Sequence, residues 1–166
     1  MTVRLNYPAN ILTFNIVDDL TSTQLSISSL QMYINPGNMK QTFTKKINRT
    51  QTFSAVYEEH WGEELDAIAC SGSTGAFISK DGLTTIDRKT SDSYLNFKNL
   101  VNIYRNNGCI YDPMTGQINR VGYVELVFSE GIYRGYFENF NVNEDATTPF
   151  RITYDFIFKV EQTIIG

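Results

Sequence analysis

His60 is the only histidine in the chain, so any Ser-His-Asp or Cys-His mechanism would have to run through it. It lies in Glu58-Glu59-His60-Trp61-Gly62-Glu63-Glu64-Leu65-Asp66, and carboxylates beside an imidazole are ligand types for a divalent ion or partners in acid/base work. The spacing argues against both. There is no HExxH, no DxDxDG and no paired-histidine spacing, so the segment reads as a solvated acidic turn with Trp61 against the core. Ser71-Gly72-Ser73-Thr74-Gly75 has the small residues of an anion cradle. It lacks the GK[ST] ending of a P-loop and no helical pattern follows it, which leaves a tight turn. Ser73 fails as a nucleophile, because a GxSxG elbow would need glycine at position 71. The expectation is a non-enzyme with no catalytic residue, no metal and no cofactor.

Cys70 and Cys109 lie 39 residues apart without a CxxC pattern and read as small buried hydrophobes rather than a disulfide. Two non-catalytic roles remain. Exposed aromatics such as Tyr133, Tyr136 and Trp61 would suit a carbohydrate-binding β-sandwich. Alternatively, an aromatic, Thr-rich and mildly charged surface is one that identical copies cover.

The chain behind these residues has 166 positions, 42% hydrophobic and 13% aromatic, enough apolar material for one compact domain spanning 1–166. Charged residues make up 19% and the formal net charge is −4, which argues against disorder and against an electrostatic nucleic-acid binder. Apolar runs are far too short to span a bilayer, and the first residues carry no basic or apolar leader pattern, so no membrane partner and a cytoplasmic origin are expected. Asn48-Arg49-Thr50 matches a glycosylation acceptor, but without a secretory route it carries no chemistry.

Periodicity predicts the elements. Ile152, Tyr154, Phe156, Phe158 and Val160 alternate with mostly polar residues as in a half-buried strand. With Val121–Phe128 and Ile132–Val142, joined through Ser129-Glu130-Gly131, residues 121–161 read as three antiparallel strands. Gln24–Ile34, Met39–Asn48, Gln51–Tyr57 and Leu65–Cys70 read as further strands, with a turn at Asn35-Pro36-Gly37-Asn38. In the hairpin so formed, Met39, Phe43 and Ile47 share one face and Lys40, Thr42, Thr44 and Lys46 the other. Tyr94, Phe97, Val101 and Tyr104, with Leu100 beside them, mark one amphipathic helix between Ser91 and Asn107-Gly108. The fold class expected is mainly β (α+β): an antiparallel β-sandwich or half-barrel, one flanking helix over about 91–107, and a long N-terminal hairpin over about 31–51.

Three stretches carry a resemblance. They are Ile34–Thr52 (INPGNMKQTFTKKINRTQT), Glu58–Ile68 (EEHWGEELDAI) with Ser71–Phe77 (SGSTGAF), and the closing set Gly122-Tyr123-Val124-Glu125, Tyr133-Arg134-Gly135-Tyr136-Phe137 and Tyr154–Val160. Together they resemble the tail-tube family of contractile-tailed bacteriophages in its broad sense, which includes tube-initiator and baseplate-hub rings. The match extends over most of residues 30–162.

The resemblance implies a structural virion protein of tail-tube fold, six copies of which join their sheets into a homohexameric ring around a channel for DNA. The ring would belong to the inner tail tube or to its junction with the baseplate. A repeated tube subunit and a single-ring initiator both remain open. Implied partners are further copies of the chain and adjacent tube, sheath or baseplate proteins. DNA would pass without sequence-specific binding, and the location would be the virion tail, assembled in the host bacterial cytoplasm. The hairpin would stack on the neighbouring ring. Expected contact residues are Lys40, Lys45, Lys46 and Arg49 on the hairpin, with Glu58, Glu59, Trp61, Glu63 and Glu64 behind it, supplying complementary charge between rings.

Overall fold

A computed structural model describes residues 11–18, 29–77, 88–111, 114–129 and 131–165. It is mainly β, with ten strands and one α-helix among the described residues. The strands are β1 (Thr13–Asp18), β2 (Leu30–Gln31), β3 (Asn38–Thr42), β4 (Lys45–Gln51), β5 (Val56–Glu63), β6 (Asp66–Ser73), β7 (Cys109–Tyr111), β8 (Ile118–Phe128), β9 (Gly131–Glu144) and β10 (Ile152–Ile165). The helix α1 covers Asp92–Asn106, after a single 3-10 turn at Arg88–Thr90.

An antiparallel 8-stranded sheet carries the order β2-β1-β8-β9-β10-β6-β3, with β7 on β8. The C-terminal strand behaves as its period demands: Ile152, Tyr154, Phe156, Phe158 and Val160 are buried, while Thr153, Asp155, Ile157 and Lys159 face partly outward. β8, β9 and β10 are consecutive antiparallel neighbours, as expected for 121–161. Gly135 sits where β9 crosses closest to β10, and a Cβ there would strike the Lys159 carbonyl. No other residue type fits that approach.

One face of the sheet holds the core. Phe137 is its hub, with ring contacts to Phe14, Tyr104, Phe140, Phe156 and Phe158 at centroid distances of 5.3 to 6.5 Å. The helix lies over this face. Ser91 caps it by accepting from the Tyr94 N–H, and Asn107 ends it in the left-handed conformation with φ 44°. Its fully buried apolar residues are Phe97, Leu100 and Ile103, so Tyr94, Val101 and Tyr104 flank the contact stripe rather than centre it.

The N-terminal half differs from its sequence reading. Of Gln24–Ile34, residues 24–28 lie outside the described set, and the remainder forms only the short β2. β2 pairs with β1 and β3 pairs with β6, so Asn35-Pro36-Gly37-Asn38 links two separate pairings and does not close a hairpin over 31–51. The long hairpin is instead Asn38–Gln51 against Val56–Ser73, with its tip at Thr52-Phe53-Ser54-Ala55. The tip is held by the Thr52 N–H donating to Ala55 O at 2.9 Å and by the Thr52 hydroxyl to the same oxygen at 3.0 Å. This local side-chain turn closes the hairpin at its tip.

Further expectations are corrected with it. Met39–Asn48 is split into β3 and β4 at Phe43-Thr44, and Gln51–Tyr57 runs around the tip. Glu58–Asp66 is not an acidic turn, because most of it is the strand β5, which finds its backbone partners on β4. Likewise Ser71-Gly72-Ser73 continues β6, and the chain turns only at Gly75, where φ is +78°.

Candidate functional site: a projecting two-stranded arm

β4 and β5 form a 2-stranded sheet by themselves, and every residue of both strands is exposed. They prolong β3 and β6 away from the body through the Glu64 N–H, which donates to Thr44 O at 2.9 Å. The pairing advances from Asn38↔Ser71 and Thr42↔Ala67 to Lys45↔Glu63 and then Ile47↔His60. Each step places one extra residue on the β5–β6 side. The outer extra residue falls at Trp61-Gly62, where Gly62 adopts φ +99°, a conformation open to glycine and strained for other residues.

The bulge sets which side chains share a face. One face carries Lys45, Ile47 and Arg49 with Val56, Glu58, His60 and Glu63. Its charges pair within the arm, Lys45 Nζ to Glu63 at 3.4 Å and Arg49 Nε to Glu58 at 2.9 Å, and His60 Nε2 lies 3.8 Å from Glu58. The other face carries Lys46, Asn48 and Thr50 with Tyr57, Glu59 and Trp61.

Most of the residues predicted as contacts lie on this one hairpin, where Lys45 pairs with Glu63 and Arg49 with Glu58 within the chain. Among the described residues Lys40, Lys46, Glu59 and Glu64 enter no ion pair. Sequence reasoning named the charges, Trp61, Phe43 and Ile47 and missed the other apolar side chains that accompany them. Phe43, Ile47, Phe53, Val56, Tyr57 and Leu65 are all exposed, as is Trp61, which is 66% exposed rather than tucked against the core. Met39, Phe43 and Ile47 do alternate along one side, yet only Met39 reaches the core.

An isolated two-stranded hairpin is marginal in water, and this one also shows water aromatic groups on the second face and aliphatic groups on the first. The remaining candidates do not assemble into a site. Tyr133 packs against the core cluster, Tyr136 stands opposite Lys159, and Trp61 is on the arm, so the three aromatics proposed for sugar binding share no surface. Among the described residues no group of three His, Cys, Asp or Glu side chains has metal-holding geometry. Cys70 and Cys109 are free thiols, and burial pushes the Cys70 thiol up to about 12. No helix of the described residues is long and apolar enough to cross a membrane.

The two edges of the main sheet contrast. The outward backbone groups of the β2 edge are occupied by the Asn96 side chain of α1, which donates to Gln31 O at 2.7 Å and accepts from the Tyr33 N–H at 3.4 Å. β3, at the other end, pairs only with β6 among the described residues.

No protein-family model matches the chain, and no curated protein matches it. Among solved structures it is similar to a chain in the tail of an empty gene transfer agent particle with C6 symmetry, at 9% identity and TM-score 0.45, covering 97% of this chain and 98% of that one. A chain in the virion of a native gene transfer agent particle gives 10% identity and TM-score 0.43, covering 93% and 95%. A chain in the sheath/tube terminator of an extracellular contractile injection system in the extended state gives 8% identity and TM-score 0.39, covering 99% of both.

Proposed function

We propose that the chain is a structural, non-catalytic subunit of a phage-type tail, acting as a homohexameric ring of the inner tube or of its junction with the baseplate. The observation that carries this is the arm: a ribbon with no buried residue and apolar side chains on both faces, whose covering surface is supplied by other copies. The motif resemblance over residues 30–162 points the same way. The ring closes a sheet whose β3 edge is open and whose β2 edge is capped by Asn96, which suits heterologous joining rather than self-pairing of like edges.

The face opposite α1, where Asn141, Asp155 and Ser71 stand in one row and Asn143, Thr153 and Ser73 in the next, is rich in amides and hydroxyls. Such a face turned toward a channel would let DNA slide, because, of its cations Lys40, Arg134 and Lys159, the last two are paired with Glu125 and Glu138. The location that follows is the virion tail, with assembly in the host bacterial cytoplasm before the particle is complete.

The test compares the intact chain with one in which residues 45–63 are replaced by a two-residue turn. Electron microscopy of the concentrated intact protein is expected to show rings or stacked tubes with a central hole. The shortened chain should keep its thermal midpoint, since no core residue is removed, and should remain monomeric. Rings formed equally by the shortened chain would overturn the role of the arm. A monomer from the intact protein at all concentrations would overturn the ring.

A further inference from the structure

The charges of the arm are segregated by strand. From Asn38 to Gln51 the chain holds Lys40, Lys45, Lys46 and Arg49 and no acidic residue. From Val56 to Asp66 it holds Glu58, Glu59, Glu63, Glu64 and Asp66 and no Lys or Arg. One long edge of the ribbon is therefore cationic and the other anionic. Among the described residues β4 and β5 pair only with each other, which leaves backbone groups open on both edges.

We propose that the arms of neighbouring copies pair edge to edge, the cationic β4 of one copy lying along the anionic β5 of the next. This rests on the ring reading and names the partner of the arm within it. In a cyclic assembly every arm points the same way along the axis, so β5 of one copy necessarily runs antiparallel to β4 of its neighbour. That is the same sense as the pairing inside each arm. Lys46 and Glu59, which enter no ion pair within the described residues, lie on these two strands and carry opposite signs.

The alternatives are disfavoured by the same charges. Pairing β4 with β4, or β5 with β5, would join two arms about a two-fold axis, and it would oppose like charges along its whole length. Edge charge ordinarily protects a strand against indiscriminate pairing. Here the segregation leaves one mode attractive, and that mode is head to tail and ends only when a ring closes. The bulge at Trp61-Gly62 interrupts the β5 edge, so on that strand the pairing involves chiefly Val56–His60.

The experiment uses two charge-swapped full chains. In the acidic-arm variant, Lys45→Glu, Lys46→Glu and Arg49→Glu make both strands negative. In the basic-arm variant, Glu58→Lys, Glu59→Lys and Glu63→Lys make both positive. Each is compared with the unaltered chain by sedimentation and native mass spectrometry, with the thermal midpoint as a check that the body is folded.

Each variant alone is expected to be monomeric where the unaltered chain assembles, with more than a tenfold rise in the dissociation constant. An equimolar mixture should recover rings holding equal numbers of the two, because β4 of each variant then faces the opposite sign on β5 of the other. If either variant alone forms rings as readily as the unaltered chain, edge pairing of the arms is overturned and the ring reading stands. If the mixture stays monomeric while the unaltered chain assembles, edge pairing is likewise overturned. If neither the unaltered chain nor the mixture assembles, both readings fall.

Discussion

Arg88 shows how single side chains fasten the body of this protein. Its guanidinium lies over the rings of Phe77 and Tyr94, at 5.4 and 5.1 Å from their centroids, and meets Glu144 in a two-point hydrogen bond at 2.6 and 3.1 Å. It thereby joins the start of α1 to the far end of β9. Hydrogen bonding from Arg88, partly opposed by desolvation, holds the Glu144 carboxyl below its ordinary value of 4.5. A carboxyl depressed in the folded state contributes stability that is complete above its unfolded value and is lost as pH falls through the folded one. The pair is largely exposed, so this contribution is small. Arg88→Gln is expected to lower the thermal midpoint by a few degrees at pH 7, from the lost ring contacts and the lost ion pair together. The difference between the two proteins should hold down to about pH 5 and narrow as Glu144 protonates below its usual range. Calorimetry across pH would check this, and a difference that widened on acidification would contradict it.

At the scale of elements, the joint between α1 and β9 depends on Asn107. Its side chain donates to Phe137 O at 3.1 Å and accepts from the Phe137 N–H at 2.7 Å, while its backbone closes the helix through Ile103 O at 2.8 Å. One residue serves as helix cap and as a strand partner beside the bulge of β9. Asn107→Gly keeps the left-handed cap and loses both side-chain bonds, for an expected loss of about 1–2 kcal/mol in denaturant unfolding. Asn107→Ala should cost about 1 kcal/mol more, because alanine is also strained at φ 44°. Equal losses for the two variants would show that the backbone conformation contributes nothing. The helix was legible from its sequence, since caps and a 3.6-residue period are local signals. The anchoring of its cap on β9 was not, as the two residues are thirty positions apart.

The whole molecule divides into a body that satisfies itself and an arm that does not. The strands of the body share a core of aromatic contacts, whereas among the described residues β4 and β5 pair only with each other. Amide hydrogens of 45–63 in the monomer are therefore expected to exchange orders of magnitude faster than those of β9 and β10. In assembled rings they should slow toward the values of the body. Hydrogen-exchange mass spectrometry on dilute and concentrated protein would test this, and an arm equally protected in the monomer would mean that it is stable without partners.

Much of this protein was determined along the chain itself. The alternation of β10, the short link between β8 and β9, the limits of α1 and the mainly β class all follow from side-chain period and turn chemistry, which act over a few residues. The charged residues of the arm and the resemblance carried by its motifs were legible in the same way. Only the tertiary structure decided where Asn38–Gln51 finds its partner. A basic strand pairs as well with the strand before it as with the strand after it on local grounds, and the Pro-Gly turn favoured the former. The choice fell to β1, which takes β2, and to β6, which takes β3, and these pairings place Leu30, Ile68 and Cys70 together in the core. Carrying β4 beyond the body then turned the presumed acidic turn into a strand and left Trp61 in solvent, an outcome set by burial and therefore invisible to any local pattern.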